Sequence, residues 1–567
     1  MKTLVKLWAP RPIWNPKLLW KSFRKDGRAS ASLDLAELEA INRCEKEVPE
    51  YFNFANDVLD KWSQIEKEGN RPPNPALWWI NGKGSEVRWS YEELAALSRK
   101  AANVLMDPCG LQRGDRVILI LPRVPEWWLL NAACIRTGII FIPGTPLLTA
   151  KDILFRLQAS KAKGIITNEN LAPVVDSVSS SCPFLRTKLL VSEGKRGGWL
   201  NFKELLRAAP SSHDCVKTKS DEPMTIYFTS GTTGSPKMAE HTHSSFGIGC
   251  ALPARYWLDL KPSDIMWNMS DTVRSQRDSE YSGQVPRNYH VQCSDRLSDA
   301  GPTGSYGYRF KSLKHCSTGG ESLNPEVLVQ WKKQTGLDLY EGYGQTEVGV
   351  ISLMEKGKEI KPGSMGKPVA SYDVQIIDAN SANILASHTG REGEIKAIRI
   401  QIQAGPNFIT FFTAHVDNPE KTASTFRGNF YLTGDRGWMD EDGYLWFVAR
   451  ADDVIMSSGY RIGPSEVENA LIEHPAVVES AVVSSPDAIR GEVVKAYVVL
   501  SPSFASHDKE ELTLELQDHV KKTTAPYKYP RKVEFVHQLP KTVSGKIRRN
   551  ELRKKEWEQI KHGTHIW

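Results

Sequence analysis

Between residues 85 and 240 the apolar positions follow two alternating periods. Leu94, Leu97, Ala101 and Leu105 share one helical face, and Ser90 with Glu93 forms a capping box at the start of that helix. The run Val117-Ile-Leu-Ile-Leu121 is apolar at every position, as a strand covered on both faces must be. An apolar helix around Trp127 to Ala133 follows, then short strands at Gly164 to Thr167 and Lys188 to Val191. Strand, helix and strand in this order predict a mostly parallel sheet with helices on both faces.

From about 365 to 449 the helical period stops. Val374-Gln-Ile-Ile377, Gly393-Glu-Ile395 and Tyr444 to Val448 predict short antiparallel strands there. Beyond Arg450, Pro464 opens a helix backed by Val467, Ala470 and Leu471. Two β-rich runs, Val477 to Val483 and Val493 to Leu500, precede a helix from Lys509 to Lys522. This α+β unit of about one hundred residues suffices for a small separate domain, with a hinge near Ala451-Asp452.

Composition narrows the function. The chain has 567 residues, too many for one core. Its net charge of +6 is concentrated at one end: residues 1 to 30 carry +7, so the rest is near neutral. A near-neutral body lacks the clustered positive footprint of nucleic-acid binding. The basic, acid-poor N-terminus reads as a mitochondrial transit peptide, although Pro10, Pro12 and Pro16 weaken its helix. Eight cysteines lie scattered without a CxxC, which argues against a disulfide framework or a zinc site and fits a reducing compartment. No run of 18 apolar residues marks an integral membrane span.

The strongest chemical signal is Met224-Thr-Ile-Tyr-Phe-Thr229-Ser230-Gly231-Thr232-Thr233-Gly234-Ser235-Pro236-Lys237. A buried strand runs into a loop of glycines and hydroxyls that ends in a lysine. Such a loop lets backbone N–H groups cradle phosphate oxygens, and Lys237 adds fixed positive charge. The spacing is not that of a Walker A loop, and a turn-rich linker remains open on the residues alone. His241 and His243 have no third metal ligand nearby and read as structural.

Thr229 to Lys237 resembles the phosphate loop of the AMP-forming adenylating enzymes, and further motifs occur in that family's order. Within Glu341-Gly342-Tyr343-Gly344-Gln345-Thr346-Glu347, the resemblance implies an aromatic ring on adenine, Thr346 at the phosphate and acyl carboxylate, and Glu347 on magnesium. Gly319-Gly320-Glu321 resembles the adenine-side loop, Asp435 of Thr433-Gly-Asp435 the ribose carboxylate, and Arg450 a second nucleotide contact. Pro540-Lys-Thr-Val-Ser-Gly-Lys546 resembles the catalytic-lysine motif. By residues alone, Lys546 would belong to a solvated basic tail.

The nearest likeness is to the medium-chain acyl-CoA synthetases of mitochondria, through Pro122 to Trp128, Glu240 to Ser245, Ser458 to Glu468 and Thr524 to Pro530. It implies coenzyme A contacts at Ser458, Gly459, Tyr460, Arg461, Arg490 and Lys521, a hinge at Asp452, and ATP, Mg²⁺ and coenzyme A as reactants and cofactor. The implied fold is α/β: a large N-terminal domain of two parallel-sheet subdomains plus a small β-barrel-like one, then a small mobile α+β C-terminal domain. Residues 1–47 would be the targeting arm, 48–450 the adenylation domain and 451–567 the C-terminal domain. The product would be acyl-CoA made through acyl-AMP in the mitochondrial matrix.

The pattern breaks after Ser270-Asp-Thr272. Of the 37 residues from 273 to 309, ten are hydrophobic, and the stretch is not expected to fill core strand positions. The resemblance implies that the family segment missing here forms one wall of the acyl pocket and a piece of the parallel sheet. An inactive or splice-altered homologue that binds nucleotide without making thioester is therefore the alternative.

Overall fold

The computed structural model describes residues 40–41, 45–81, 84–229, 236–249, 255–268, 289–293, 301–302, 308–309, 313–320, 323, 325–369, 372–377, 396–401, 414–427, 430–458, 460–487, 489–541 and 546–561. The basic arm, the 230–235 loop and most of 273–309 lie outside them.

An eight-stranded sheet forms the first layer. Its order is Ala414–His415, Lys237–Thr242, Pro223–Thr229, Ile140–Gly144, Arg116–Ile120, Gly164–Asn168, Thr187–Val191 and Leu200–Asn201. The six strands from Pro223–Thr229 to Leu200–Asn201 run parallel, as predicted. The Lys237–Thr242 strand turns back antiparallel beside Pro223–Thr229. Helices cover both faces, so Arg116–Ile120 is buried almost throughout. The predicted capping box stands at Tyr91–Met106, where Ser90 accepts from the Glu93 amide and Glu93 from that of Ser90. Pro125 opens the next helix, to Thr137.

The second sheet has six strands: Ile265–Asn268, Tyr289–Cys293, Leu313–Gly319, Leu339–Gln345, Gly349–Leu353 and Lys367–Pro368. It is mixed, with its parallel pair between Leu313–Gly319 and Leu339–Gln345. The expectation that 273–309 fills no core strand position is corrected here. Tyr289–Cys293 lies between two strands of this sheet, antiparallel to both. Ladder hydrogen bonds use backbone groups, so a short stretch with Tyr289 and Val291 at alternate positions joins despite its polar neighbours.

A five-stranded antiparallel sheet, Asp373–Ile377, Lys396–Gln401, Phe430–Met439, Phe426–Arg427 and Leu445–Arg450, closes the large domain. The predicted strand at 393–395 lies outside the described residues. The absence of helix expected over 365–449 is also corrected, because Pro419–Thr425 is helical. Seven residues are too few for periodicity to register.

The C-terminal sheet combines Ile455–Ser457, Tyr460–Ile462, Val477–Asp487, Gly491–Leu500 and Lys532–Phe535. Alternation along its long strands divides its cores. Val482, Val494, Ala496 and Val498 pack with the Pro464–Ile472 and Lys509–Thr523 helices. Ala481, Val483 and Tyr497 pack with Leu539, Ile547 and Leu552 on the other face. No helix among the described residues is long and apolar enough to cross a membrane.

Candidate active site

Sheet register brings the distant motifs together. Asp435 and Arg450 are direct partners on adjacent antiparallel strands. Arg450 Nη1 donates to Asp435 Oδ1 at 2.7 Å and to the Thr433 carbonyl at 3.2 Å. The other carboxylate oxygen of Asp435 accepts the Tyr343 hydroxyl and, at 2.6 Å, Gln345 Nε2. Asp435 is only 3% exposed, so three donors meet one buried carboxylate. Tyr431 completes the cluster by donating its hydroxyl to Gln345 Oε1 at 2.8 Å.

Tyr431 was missed in the sequence, yet a signal was there. Tyr431, Thr433 and Asp435 alternate along one strand and are all buried. Trp257 gave no such signal. Its ring lies against Gly319 and Gly342, direct partners across the parallel pair. A Cβ on Gly342 would stand 2.7 Å from that ring, so the bare backbone is a packing requirement. Trp257 Nε1 donates to the Tyr340 carbonyl at 3.0 Å, and the Trp257 carbonyl is 2.8 Å from His315 Nε2.

Thr346 and Glu347 sit in the hairpin turn between Leu339–Gln345 and Gly349–Leu353. The Val348 amide donates to the Gln345 carbonyl at 3.2 Å, and Gly349 takes φ +68°. That is the turn-plus-glycine form of a three-residue hairpin loop. Thr346 is exposed and Glu347 partly buried. Burial raises the Glu347 pKa, while the charges of Arg450 and Lys237 oppose that rise. Lys237 therefore acts on the turn from the first sheet, where its strand pairs antiparallel with Thr229.

Other predicted residues are placed as follows. Pro236 precedes Lys237 and is half-buried, and Gly320 adopts φ +105° after Gly319. Gly344 stands so close to the neighbouring strand that a Cβ would lie 2.1 Å from the Gly349 carbonyl oxygen. Glu341 faces inward, where its carboxyl accepts the Leu323 amide at 3.1 Å. Ser230 to Ser235, Glu321 and Gly459 lie outside the described residues.

In the C-terminal domain the Ser458 amide donates to the Arg490 carbonyl at 3.1 Å. Tyr460 stacks on Tyr527 with ring centres 4.2 Å apart, and Arg461 pairs by backbone with Met456. Lys521 ion-pairs with Asp518 at 2.8 Å and lies over the Tyr529 ring. Asp452 occupies the turn after Arg450, and its carbonyl accepts Arg553 Nη1 at 2.6 Å. Lys546 immediately precedes Ile547, which bridges to Lys541 on the Leu539–Leu552 side of the C-terminal sheet.

Among the described residues no group of three or more His, Cys, Asp or Glu could hold a metal by itself. A single partly buried carboxylate such as that of Glu347 is chemically sufficient for a magnesium ion that takes the rest of its shell from phosphate oxygens and water.

Buried titratable groups give the core opposite pH sensitivities. Burial holds His241 and His243 down to about 4, and it raises Glu341 to about 8. The unfolded histidines take up protons near pH 6.5, so their contribution to stability falls as pH drops from about 6.5 to about 4. For Glu341 the unfolded carboxyl ionises near 4.5 while the folded one keeps its proton, so stability falls as pH rises from about 4.5 to about 8. Glu341→Gln is expected to remove this second slope. The thermal midpoint of the variant should gain on the wild type by a few degrees between pH 4.5 and 8. A constant difference across that range would show that Glu341 is not held neutral.

Comparison with known proteins agrees with this geometry. The model of the AMP-binding enzymes matches residues 65–273 and 282–401, and that of the AMP-binding enzyme C-terminal domain matches 466–546. The interruption begins at 273, where the sequence pattern was expected to break, but the match resumes at 282, so most of the 273–309 stretch is matched by the family model. The chain is 62% identical to mitochondrial acyl-coenzyme A synthetase ACSM4 of Rattus norvegicus over 592 residues, covering 98% of this chain and all of that protein. It is 58% identical to mitochondrial acyl-coenzyme A synthetase ACSM3 of Homo sapiens, covering 95% of this chain and 96% of that one. The first alignment is longer than the 567-residue chain, so some positions of the rat protein have no counterpart here. Among solved structures, the anthranilate CoA ligase AuaEII in complex with anthranoyl-AMP superposes with a TM-score of 0.75 at 26% identity, covering 90% of this chain and 98% of that one. With both family models matched in order and relatives about 60% identical along almost the whole chain, the chain belongs to the AMP-binding enzymes, among the mitochondrial acyl-coenzyme A synthetases.

Proposed function

We propose that this acyl-coenzyme A synthetase is a medium-chain fatty acid:coenzyme A ligase of the mitochondrial matrix, forming AMP and pyrophosphate. The observation that carries the reading is the convergence of Lys237, the Thr346–Glu347 turn and the Asp435–Arg450 pair on one region of the large domain. Residues 48–450 form the adenylation domain, residues 451–567 the C-terminal domain and residues 1–47 the targeting arm.

The ribose hydroxyls of ATP meet Asp435, and Arg450 adds a second nucleotide contact. The adenine lies against Tyr343, beside the 341–345 strand end and the 319–321 loop. The loop from Thr229 through Ser230, Gly231, Thr232, Thr233, Gly234, Ser235 and Pro236 to Lys237 holds the phosphates. Glu347 holds magnesium, which when bound supplies charge neutralisation at the phosphates.

In the first half-reaction a carboxylate oxygen of the fatty acid bonds to the α-phosphorus, and the bond to the β-phosphate oxygen breaks. Pyrophosphate leaves with that electron pair. Thr346 orients the attacking carboxylate, while Lys237 and Lys546 offset charge as it builds. In the second half-reaction the coenzyme A sulfur, having lost its proton to solvent, bonds to the acyl carbon, and AMP leaves with the C–O pair. The small domain turns about Asp452 between the two steps. Ser458, Gly459, Tyr460, Arg461, Arg490 and Lys521 then meet coenzyme A. The cationic members suit its phosphates.

The test uses the purified full chain with ATP, Mg²⁺ and fatty acids from butyrate to dodecanoate. Acid-dependent ATP–pyrophosphate exchange without coenzyme A, and thioester formation with it, are the expected results. Nucleotide binding with neither reaction would overturn the assignment in favour of an inactive homologue.

A further inference from the structure

His241 is separated from the predicted phosphate loop by one face of a single strand. Lys237, Ala239 and His241 alternate along Lys237–Thr242, and Ala239 packs into the core that contains Trp257, Tyr340 and Val348 of the second-sheet region. The face that carries Lys237 therefore also points His241 toward the second sheet. There His241 Nε2 meets the Thr346 carbonyl at 2.7 Å, across 105 residues of sequence. A carbonyl only accepts, so this nitrogen carries the proton and the imidazole is the donor.

The environment of the ring holds it in place. His241 is 5% exposed, with Tyr227 and Phe246 edge-on at 6.2 and 6.3 Å. Its Nδ1 faces Ser245 Oγ at 3.4 Å, and Ser245 is itself tied to Thr242 in the capping box of the next helix. The acceptor is equally informative. Thr346 occupies a hairpin turn, so its carbonyl has no ladder partner across the sheet, and His241 is the side chain that meets it. His241 adds a fixed donor from the first sheet to the restraint that the Val348 amide already gives the turn. One strand thus bears on the turn twice, through the charge of Lys237 acting on Glu347 and through the hydrogen bond of His241 to Thr346.

We infer that His241 is a positioning residue for adenylate formation: it fixes the Thr346–Glu347 peptide, and so sets where the Thr346 hydroxyl and the Glu347 carboxylate stand relative to Lys237. The inference rests on the proposed adenylation roles of those three residues. Its chemistry needs only a neutral N–H donor of the right length, which separates it from the bulk a buried ring also provides.

His241→Gln, His241→Met and His241→Ala test it together. The glutamine amide reaches as far as Nε2 and donates; methionine fills similar space and does not. With Met or Ala, pyrophosphate exchange is expected to fall by about 10- to 100-fold, the range for a misplaced catalytic group. Transfer from preformed acyl-AMP to coenzyme A should stay within about threefold. The Mg²⁺ concentration needed for half-maximal ATP binding should rise with Met and return toward wild type with Gln. Gln performing as poorly as Met, or both half-reactions falling together, would reduce His241 to a packing residue. If Ala does not fold, the Gln–Met pair still decides, because the two differ mainly in the donor. A wild type that binds ATP but shows no exchange would sink the functional assignment, and the Mg²⁺-dependent binding would then judge His241 separately.

Discussion

Lys546→Ala is expected to slow acyl-adenylate formation by about 10²–10³-fold, the loss typical when one preorganised positive group is removed from developing charge. Transfer of the acyl group from preformed acyl-AMP to coenzyme A should remain within about threefold. The reason is where Lys546 is mounted. Ile547 bridges to Lys541 and packs with Leu539 and Leu552, and Lys541 pairs with Glu479. The following helix, Arg549–Lys561, is clamped by Arg549 to Glu468 at 2.6 Å and by Glu556 to the buried Lys495 at 2.5 Å. Truncating Lys546 removes one charge from a fixed support and leaves these anchors intact. Pyrophosphate exchange and single-turnover thioester formation from synthetic acyl-AMP separate the two steps. Equal losses in both would show that the lysine supports the domain rather than the chemistry.

Asp435→Ala is expected to lower ATP affinity by at least about 100-fold and stability by about 3–4 kcal/mol, within the range for breaking a buried charged pair. Tyr343, Gln345 and Arg450 all donate to this carboxylate, and alanine would take that acceptor from all three, leaving Gln345 and Arg450 only the Thr433 carbonyl. Arg450 is 39% exposed at its side chain and recovers some hydration, which places the stability loss below the upper end of that range. Asp435→Asn retains the shape but turns an amide donor toward one of the existing donors. It should recover part of the stability and little of the affinity. Nucleotide titration calorimetry and thermal unfolding measure the two effects. An Ala variant with unchanged affinity would remove Asp435 from the nucleotide site.

Much of the large domain was legible because its signals are local. Ser90 and Glu93 lie three residues apart, and Val117 to Leu121 is apolar at every position. A capping box and a fully buried strand each reside in one short window. The helix at Pro419–Thr425 and the strand at Tyr289–Cys293 were not legible, one being too short to show a period and the other pairing through its backbone. Motifs pointed to Asp435, Arg450 and Glu347, which the structure sets near one another, and to Lys546 in the C-terminal domain. Tyr431 was within reach by alternation, since it stands two residues before Thr433 on the same buried face.

By itself the sequence determined which segments are apolar on one face or both, where helices begin, and which short motifs carry glycines, hydroxyls and charges suited to a nucleotide. Tertiary structure decided the rest. The order and register of the sheets set Arg450 opposite Asp435, lay Trp257 on two glycines and joined His241 to Thr346. Periodicity reports the face on which a side chain lies, but the partner waiting on that face, here often a hundred residues away, exists only once the strands have been placed side by side.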